Sequence, residues 1–454
     1  MRRLNGLRHL VHDLVEKTTD LVEEQHTSVA EKPAKVLGAV APALGEAARA
    51  VTQVERAGAA VVYDAVRAVN AGVRAATDRG VGALLEGLSR ALVSDAAREL
   101  APLAAPPPEL AKLSVLADGA QGALNGLVGD FLRGSGNALA LPMTLHAGGD
   151  ALPIEERALR KRLPDASPRL AIFVHGLCCT DQTWGLFSEE LHGAPGLSFG
   201  TLLQGELGFT PVYVRYNTGL HVSENGRDLD RILERLVAAH PVPVEQVVLV
   251  GHSMGGLVAR SAAHYGDRRG ASWAGRLTHL FCLGSPHLGA PLEKAGNLLS
   301  AVLRSFDTPG TRVPAAVLDA RSSGIKDLRH GYVVDEDWIG RDPDAPFEDG
   351  RTELPFVGAV LYCFIAGTLT ADPEHPVGRL LGDVLVRLPS AAGVHTEPSR
   401  SIPFHRGAVI GRAHHLAIMN HPAVYAELRR WLVEAPGGLP RPELSPAGAD
   451  ALPG

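Results

Sequence analysis

Cysteine is scarce in this 454-residue chain, with four residues at positions 178, 179, 282 and 363. They lie in or beside apolar, strand-like runs and lack metal-ligand spacing. That pattern predicts reduced thiols and argues against a disulfide framework or a zinc site. The adjacent pair Cys178-Cys179 could in principle be redox-active, but packing is the stronger reading. Long apolar runs are missing too, since no stretch approaches the ~18–20 uncharged residues of a membrane-spanning helix. Neither sign of charge dominates: 44 basic against 50 acidic residues give a net charge of −6 with no long single-sign run, so nucleic acid is not an expected partner. The basic opening Met1-Arg2-Arg3 runs into His12, Asp13, Glu16 and Lys17 instead of an apolar core, so no secretory signal is visible. The expected location is cytoplasmic, either free in solution or peripheral to a membrane.

What is present is a sequence of clear patterns. Between Leu4 and Val22 the apolar residues Leu7, Leu10, Val11, Leu14, Val15, Leu21 and Val22 form an amphipathic helical stripe. Alanine-rich segments from Val36 to Leu92 also favour helix. Residues 1–104 therefore read as a helical region whose apolar faces pack on protein or meet a lipid surface. Ala105-Pro106-Pro107-Pro108 cannot continue a helix, so 105–138 reads as a linker followed by a helix through Leu124 to Leu132. Gly134-Ser135-Gly136-Asn137 breaks that helix, and Leu139 to Leu145 reads as a short strand.

From 139 to 435 the chain alternates between strand and helix signals. The runs Leu170 to Val174, Pro211 to Tyr216, Val247 to Val250, His279 to Leu283 and Val360 to Ile365 are apolar strand signals, and Leu170 to Val174 is continuous, as expected of a parallel strand covered on both faces. Helices are expected over Asp228 to Ala239 and Pro422 to Leu432. The expected fold class is α/β, a doubly wound and mostly parallel sheet. The connection from Pro291 to Pro355 is long, and 292–355 reads as a lid or cap insertion. Pro436 to Gly454, rich in Pro, Gly and Ala, reads as a disordered tail.

The sharpest motif is Gly251-His252-Ser253-Met254-Gly255, placed after an apolar strand and before Gly256-Leu257-Val258-Ala259-Arg260, which reads as a helix start. A serine in a sharp strand-to-helix turn has an exposed Oγ, and glycines two residues to either side relieve the crowding. The turn also leaves unpaired amides facing the serine, where they can stabilise a substrate oxyanion. Ser253 is the candidate nucleophile. It needs a base and an orienting acid, and later sequence supplies both in the order Ser, acid, His. Asp383, in Gly382-Asp383-Val384-Leu385-Val386, is preferred as the acid over the alternate Asp372 because the apolar run after it would anchor its loop. His415, in Gly411-Arg412-Ala413-His414-His415-Leu416 before the closing helix, is preferred over the alternate His414. For the oxyanion hole, Val174-His175-Gly176-Leu177 ends the first clear strand, and the amides of Leu177 and Met254 are the candidate donors. His175 is expected to brace this loop.

These residues together resemble the lipase/esterase branch of the α/β-hydrolases, particularly bacterial lipase-like proteins related to the GPI inositol-deacylase group. The resemblance rests on His175-Gly176-Leu177, the elbow 251–256, Gly284-Ser285-Pro286-His287-Leu288-Gly289, Gly382-Asp383 and His415-Leu416. The segment Arg215-Tyr216-Asn217-Thr218-Gly219-Leu220-His221 adds to it. It covers roughly residues 140 to 433 and departs from the pattern at Val384, where many lipases carry glycine. It implies hydrolysis of a carboxylic ester, an acyl or lipid ester as small-molecule substrate, and no metal or organic cofactor. An acyltransferase would use the same triad. A reading of another class is a protein whose N-terminal helices coat lipid or granule surfaces beside a vestigial hydrolase domain.

Overall fold

The apolar runs become the middle of an eight-stranded sheet in the computed structural model, which describes residues 139–290, 322–342, 350–372 and 385–434, with Gly382, Asp383 and part of 118–136. The chain divides into two units, 1–121 and 122–454. The helical region 1–104, the tail 436–454 and much of 292–355 lie outside the described residues. Between 118 and 134 the described positions are helical.

The strands are β1 (Thr144–Ala147), β2 (Asp150–Ala151), β3 (Arg169–Val174), β4 (Thr210–Arg215), β5 (Gln246–His252), β6 (Leu277–Leu283), β7 (Leu361–Thr368) and β8 (Arg406–Gly411). Their order is β2-β1-β4-β3-β5-β6-β7-β8; β1 runs antiparallel to both of its neighbours, and every other pair is parallel. Residues alternate between two cores. Leu170, Ile172 and Val174 of β3 and Val247 and Leu249 of β5 face one core, whereas Ala171, Phe173, Val248 and Val250 face the other. Both faces are dry, which is why these strands read as unbroken apolar runs.

Helix α1 (Phe199–Leu207) and the closing helix cover the second core, while α2 (Val222–Ala239) and α3 (Met254–Arg268) cover the first. Helix α4 (Ser323–His330) follows in the chain, and α5 (Pro422–Val433) closes the domain with Val424, Leu428 and Trp431 buried. Each such fully buried apolar side chain contributes roughly 1.5–3 kcal/mol.

The elements differ from the expected ones in ways that have physical causes. Helix α2 starts at Val222, six residues before Asp228, because the Asp327 carboxylate caps it from 105 residues away, accepting from Val222 N at 2.7 Å. The strand expected over 139–145 instead begins at Thr144. The described part of the 292–355 segment is packed into the body: α4 and the following turn bury Leu328, Val333 and Val334, and Ser322 Oγ donates to the Gly126 carbonyl at 2.6 Å.

Candidate active site

At the end of β5 the backbone turns sharply into α3, and Ser253 holds φ 53°, ψ −122°, a conformation that L-residues adopt only under constraint. The constraint is steric closeness. A β-carbon at Gly251 would stand 2.4 Å from the Gly255 carbonyl oxygen, and one at Gly255 would stand 2.1 Å from that of Val174, so only glycine fits on either side. Ser253 N–H donates to Leu283 O at 2.8 Å, tying the elbow to the end of β6. The Met254 amide belongs to the first turn of α3 and has no carbonyl four residues back within the helix.

His415 and Asp383 meet beside this elbow. The His415 Nδ1–H donates to Asp383 Oδ2 at 2.7 Å, and the His415 amide donates to the Asp383 carbonyl at 3.1 Å. The other carboxylate oxygen, Oδ1, accepts from Leu385 N at 3.1 Å and Val386 N at 2.9 Å, so the run after Asp383 does hold its loop. Both side chains are buried, and a β-carbon at Gly284 would stand 3.0 Å from Asp383 Oδ2 and 3.4 Å from His415 Nδ1. The alternates lie elsewhere. His414 is exposed, with Phe187 against its ring and Nδ1 accepting from Ala417 N, and Asp372 is exposed beyond β7.

The 175–181 loop packs against the serine, since a β-carbon at Gly176 would stand 3.0 Å from Ser253 Cβ. Leu177 follows at once, half-buried. The segment 215–221 is the brace of this loop, residue by residue. Arg215 Nε donates to Asp181 at 2.5 Å, Tyr216 Oη to the His175 carbonyl at 2.7 Å, and Cys178 N to Thr218 Oγ1 at 3.2 Å. Asn217 Nδ2 donates to Gly129 O at 2.9 Å, and a β-carbon at Gly126 would stand 2.3 Å from Cys178 Sγ, so Gly126 and Gly129 back the same loop. His175 stacks on Tyr216, and its Nδ1–H donates to Gly176 O at 2.9 Å; burial pushes its pKa down to about 4, which makes it a neutral brace.

One residue with a defined task carried no signal in the sequence. His252 Nε2–H donates to the His415 carbonyl at 2.8 Å, linking the elbow to the histidine loop, while burial and then the nearby His415 hold its pKa well below the ordinary value. The partners are 163 residues apart, and no local pattern connects them. Burial raises the thiols of Cys178 to about 12 and Cys179 to about 11, so neither is a ready thiolate. Among the described residues no cluster of three or more His, Cys, Asp or Glu is arranged to hold a metal, and no helix is long and apolar enough to cross a membrane.

The model of one family, a PGAP1-like alpha/beta domain, matches residues 167–342. No curated protein matches the chain. Among solved structures, Bacillus licheniformis lipase BlEst2 in mature form is similar at 17% identity and a TM-score of 0.38, covering 59% of this chain and 94% of that one. Phospholipase PlaB from Legionella pneumophila is similar at 17% identity and 0.34, covering 58% of this chain and 59% of its own. A lipase-esterase related protein from Clostridium acetobutylicum is similar at 10% identity and 0.32, covering 59% and 95% respectively. The sheet order and the strand-serine-helix turn are those of an α/β-hydrolase fold.

Proposed function

We propose that this chain is a serine carboxylic-ester hydrolase that acts on an acyl ester, with a lipid ester as the substrate class. The observation that carries the reading is the buried His415–Asp383 pair, 2.7 Å apart, beside a serine held at φ 53° on a strand-to-helix turn. In the mechanism, Ser253 Oγ attacks the ester carbonyl as His415 Nε2 takes its proton. Asp383 holds the Nδ1–H, fixing the tautomer and stabilising the imidazolium that forms. The amides of Leu177 and Met254 receive the oxyanion. Collapse of the tetrahedral intermediate expels the alcohol, which takes the proton from His415, and leaves an acyl group on Ser253. Water then adds to the acyl-enzyme with His415 as base, releasing the acid.

Hydrolysis of p-nitrophenyl esters from short to long acyl chains tests this, with wild type and Ser253→Ala side by side. The expected result is activity that rises with chain length and falls by about 10⁴–10⁶ in the variant. A short-chain optimum would replace the lipid ester by a small ester, and an active Ser253→Ala would remove the serine from the mechanism.

A further inference from the structure

His252 closes β5 and precedes Ser253 directly, and its ring lies against that of His415 with the centroids 4.7 Å apart. The side chain is buried. Its Nε2–H donates to the His415 carbonyl at 2.8 Å, which fixes the tautomer and leaves Nδ1 as a lone-pair acceptor. Among the described residues Nδ1 has no donor, so the bond to His415 is what the polar ring contributes that an apolar ring of similar shape would not. The ring is closely seated: Trp184 stands edge-on to it at 6.5 Å between centroids, and a β-carbon at Gly176 would stand 3.1 Å from Nδ1.

His415 is held from two directions. Asp383, on the connection after β7, takes the amide at 3.1 Å and the ring Nδ1–H at 2.7 Å. These bonds orient the imidazole, but they tie it to its own loop. His252 takes the carbonyl, and it belongs to the strand that carries Ser253. The backbone between His252 and Ser253 is fixed in turn, with Ser253 at φ 53° and its N–H bonded to Leu283 O at 2.8 Å. The His252 bond therefore joins the histidine loop to the elbow itself.

We propose that His252 is a positioning residue that sets the separation of the base His415 from the nucleophile Ser253. The inference rests on the reading of those two residues under the proposed function and adds the group that keeps them in register. Proton transfer from Ser253 Oγ needs the imidazole within hydrogen-bond reach, and a displacement of about 1 Å can cost on the order of 100-fold in rate. Charge suits the task as well. Burial, and then the neighbouring His415, hold the His252 pKa well below its ordinary value, so the ring stays neutral and does not repel the imidazolium that His415 becomes during the reaction.

The rate at which a fluorophosphonate labels Ser253 in the full chain reads activation of the serine without an ester substrate, and kcat and KM on a p-nitrophenyl ester are measured beside it. The pair His252→Gln and His252→Asn decides the question. Both side chains are neutral amides, but the glutamine amide reaches where Nε2 stood, whereas the asparagine amide stops near Nδ1 and cannot donate to the His415 carbonyl. His252→Asn is expected to slow labelling and to lower kcat about 10–100-fold at nearly constant KM. His252→Gln is expected to recover at least about fivefold of that loss in both readouts. Urea midpoints show which variants fold; should His252→Asn not fold, His252→Phe, which keeps a ring and has no donor, takes its place. Equal rates for the glutamine variant and the donorless variant, or labelling of the donorless variant within about twofold of wild type, overturns the proposal. Wild-type protein that is not labelled at Ser253 removes the serine-histidine reading itself, and wild type that is labelled but hydrolyses no ester removes the ester and leaves the role of His252 standing.

Discussion

At the scale of single residues, the task proposed for Asp383 is separable from its place in the fold. One oxygen accepts from two backbone amides and the other from His415, and an asparagine keeps the shape while presenting the wrong group to the imidazole. Asp383→Asn is therefore expected to lower kcat by about 10⁴ with little change in KM or in urea midpoint. Retention of more than about a tenth of wild-type kcat would move the orienting role to another acid. His414→Ala, at an exposed ring facing Phe187, is expected to leave kcat within about twofold. Ser253 was readable because its constraints are local: two glycines, a strand before and a helix after. The pairing of Asp383 with His415 was readable only through chain order and the anchoring run after Asp383, since residues 32 apart share no pattern that separates Asp383 from Asp372 or His415 from His414.

At the scale of elements, the described helical positions between 122 and 134 lie against the loop that carries the proposed oxyanion donor. They take Asn217, Ser322 and Cys178 as neighbours, and the last of these is one residue from the proposed oxyanion donor Leu177. Gly126→Val would drive a side chain into Cys178 and is expected to lower kcat about 10–100-fold at nearly constant KM, since a displaced donor is lost mainly in the transition state. Gly134→Ala, with nothing within 4 Å of the new methyl, is the control and is expected to leave kcat unchanged. Equal kinetics for the two variants would detach this segment from the oxyanion loop. A chain starting at Leu139 lacks the segment, and the same argument expects it to be impaired. The buried central strands were legible because both faces demand apolar residues. Strand β8, Arg-Gly-Ala-Val-Ile-Gly, is half-exposed along its length and carries two glycines, so its pairing with β7 comes from the sheet and not from its own composition. The early start of α2 was equally invisible, because its cap, Asp327, arrives from a distant helix.

At the scale of the whole molecule, histidines buried in neutral form make stability depend on acidity. His175 and His279 are each depressed by burial to about 4, from an ordinary value near 6.5. The unfolded chain therefore takes up protons below about pH 6.5 that the folded chain refuses until about pH 4, so stability is full above pH 6.5 and falls as pH drops through that window. Each unit of depression corresponds to roughly 1.4 kcal/mol. Urea midpoints are expected to fall between pH 6.5 and 5, above the range where ordinary carboxylates titrate, and His279→Phe is expected to flatten the slope by about one proton. A midpoint constant over that window would mean that these rings are protonated in the folded state. The most direct test of serine catalysis is covalent: a fluorophosphonate probe added to the full chain, with the modified peptide identified by mass spectrometry. A single adduct on Ser253, absent in Ser253→Ala and much slower to form in His415→Ala, is the expected result. No adduct, or an adduct on another residue at undiminished rate in Ser253→Ala, would contradict the assignment of Ser253 as the nucleophile.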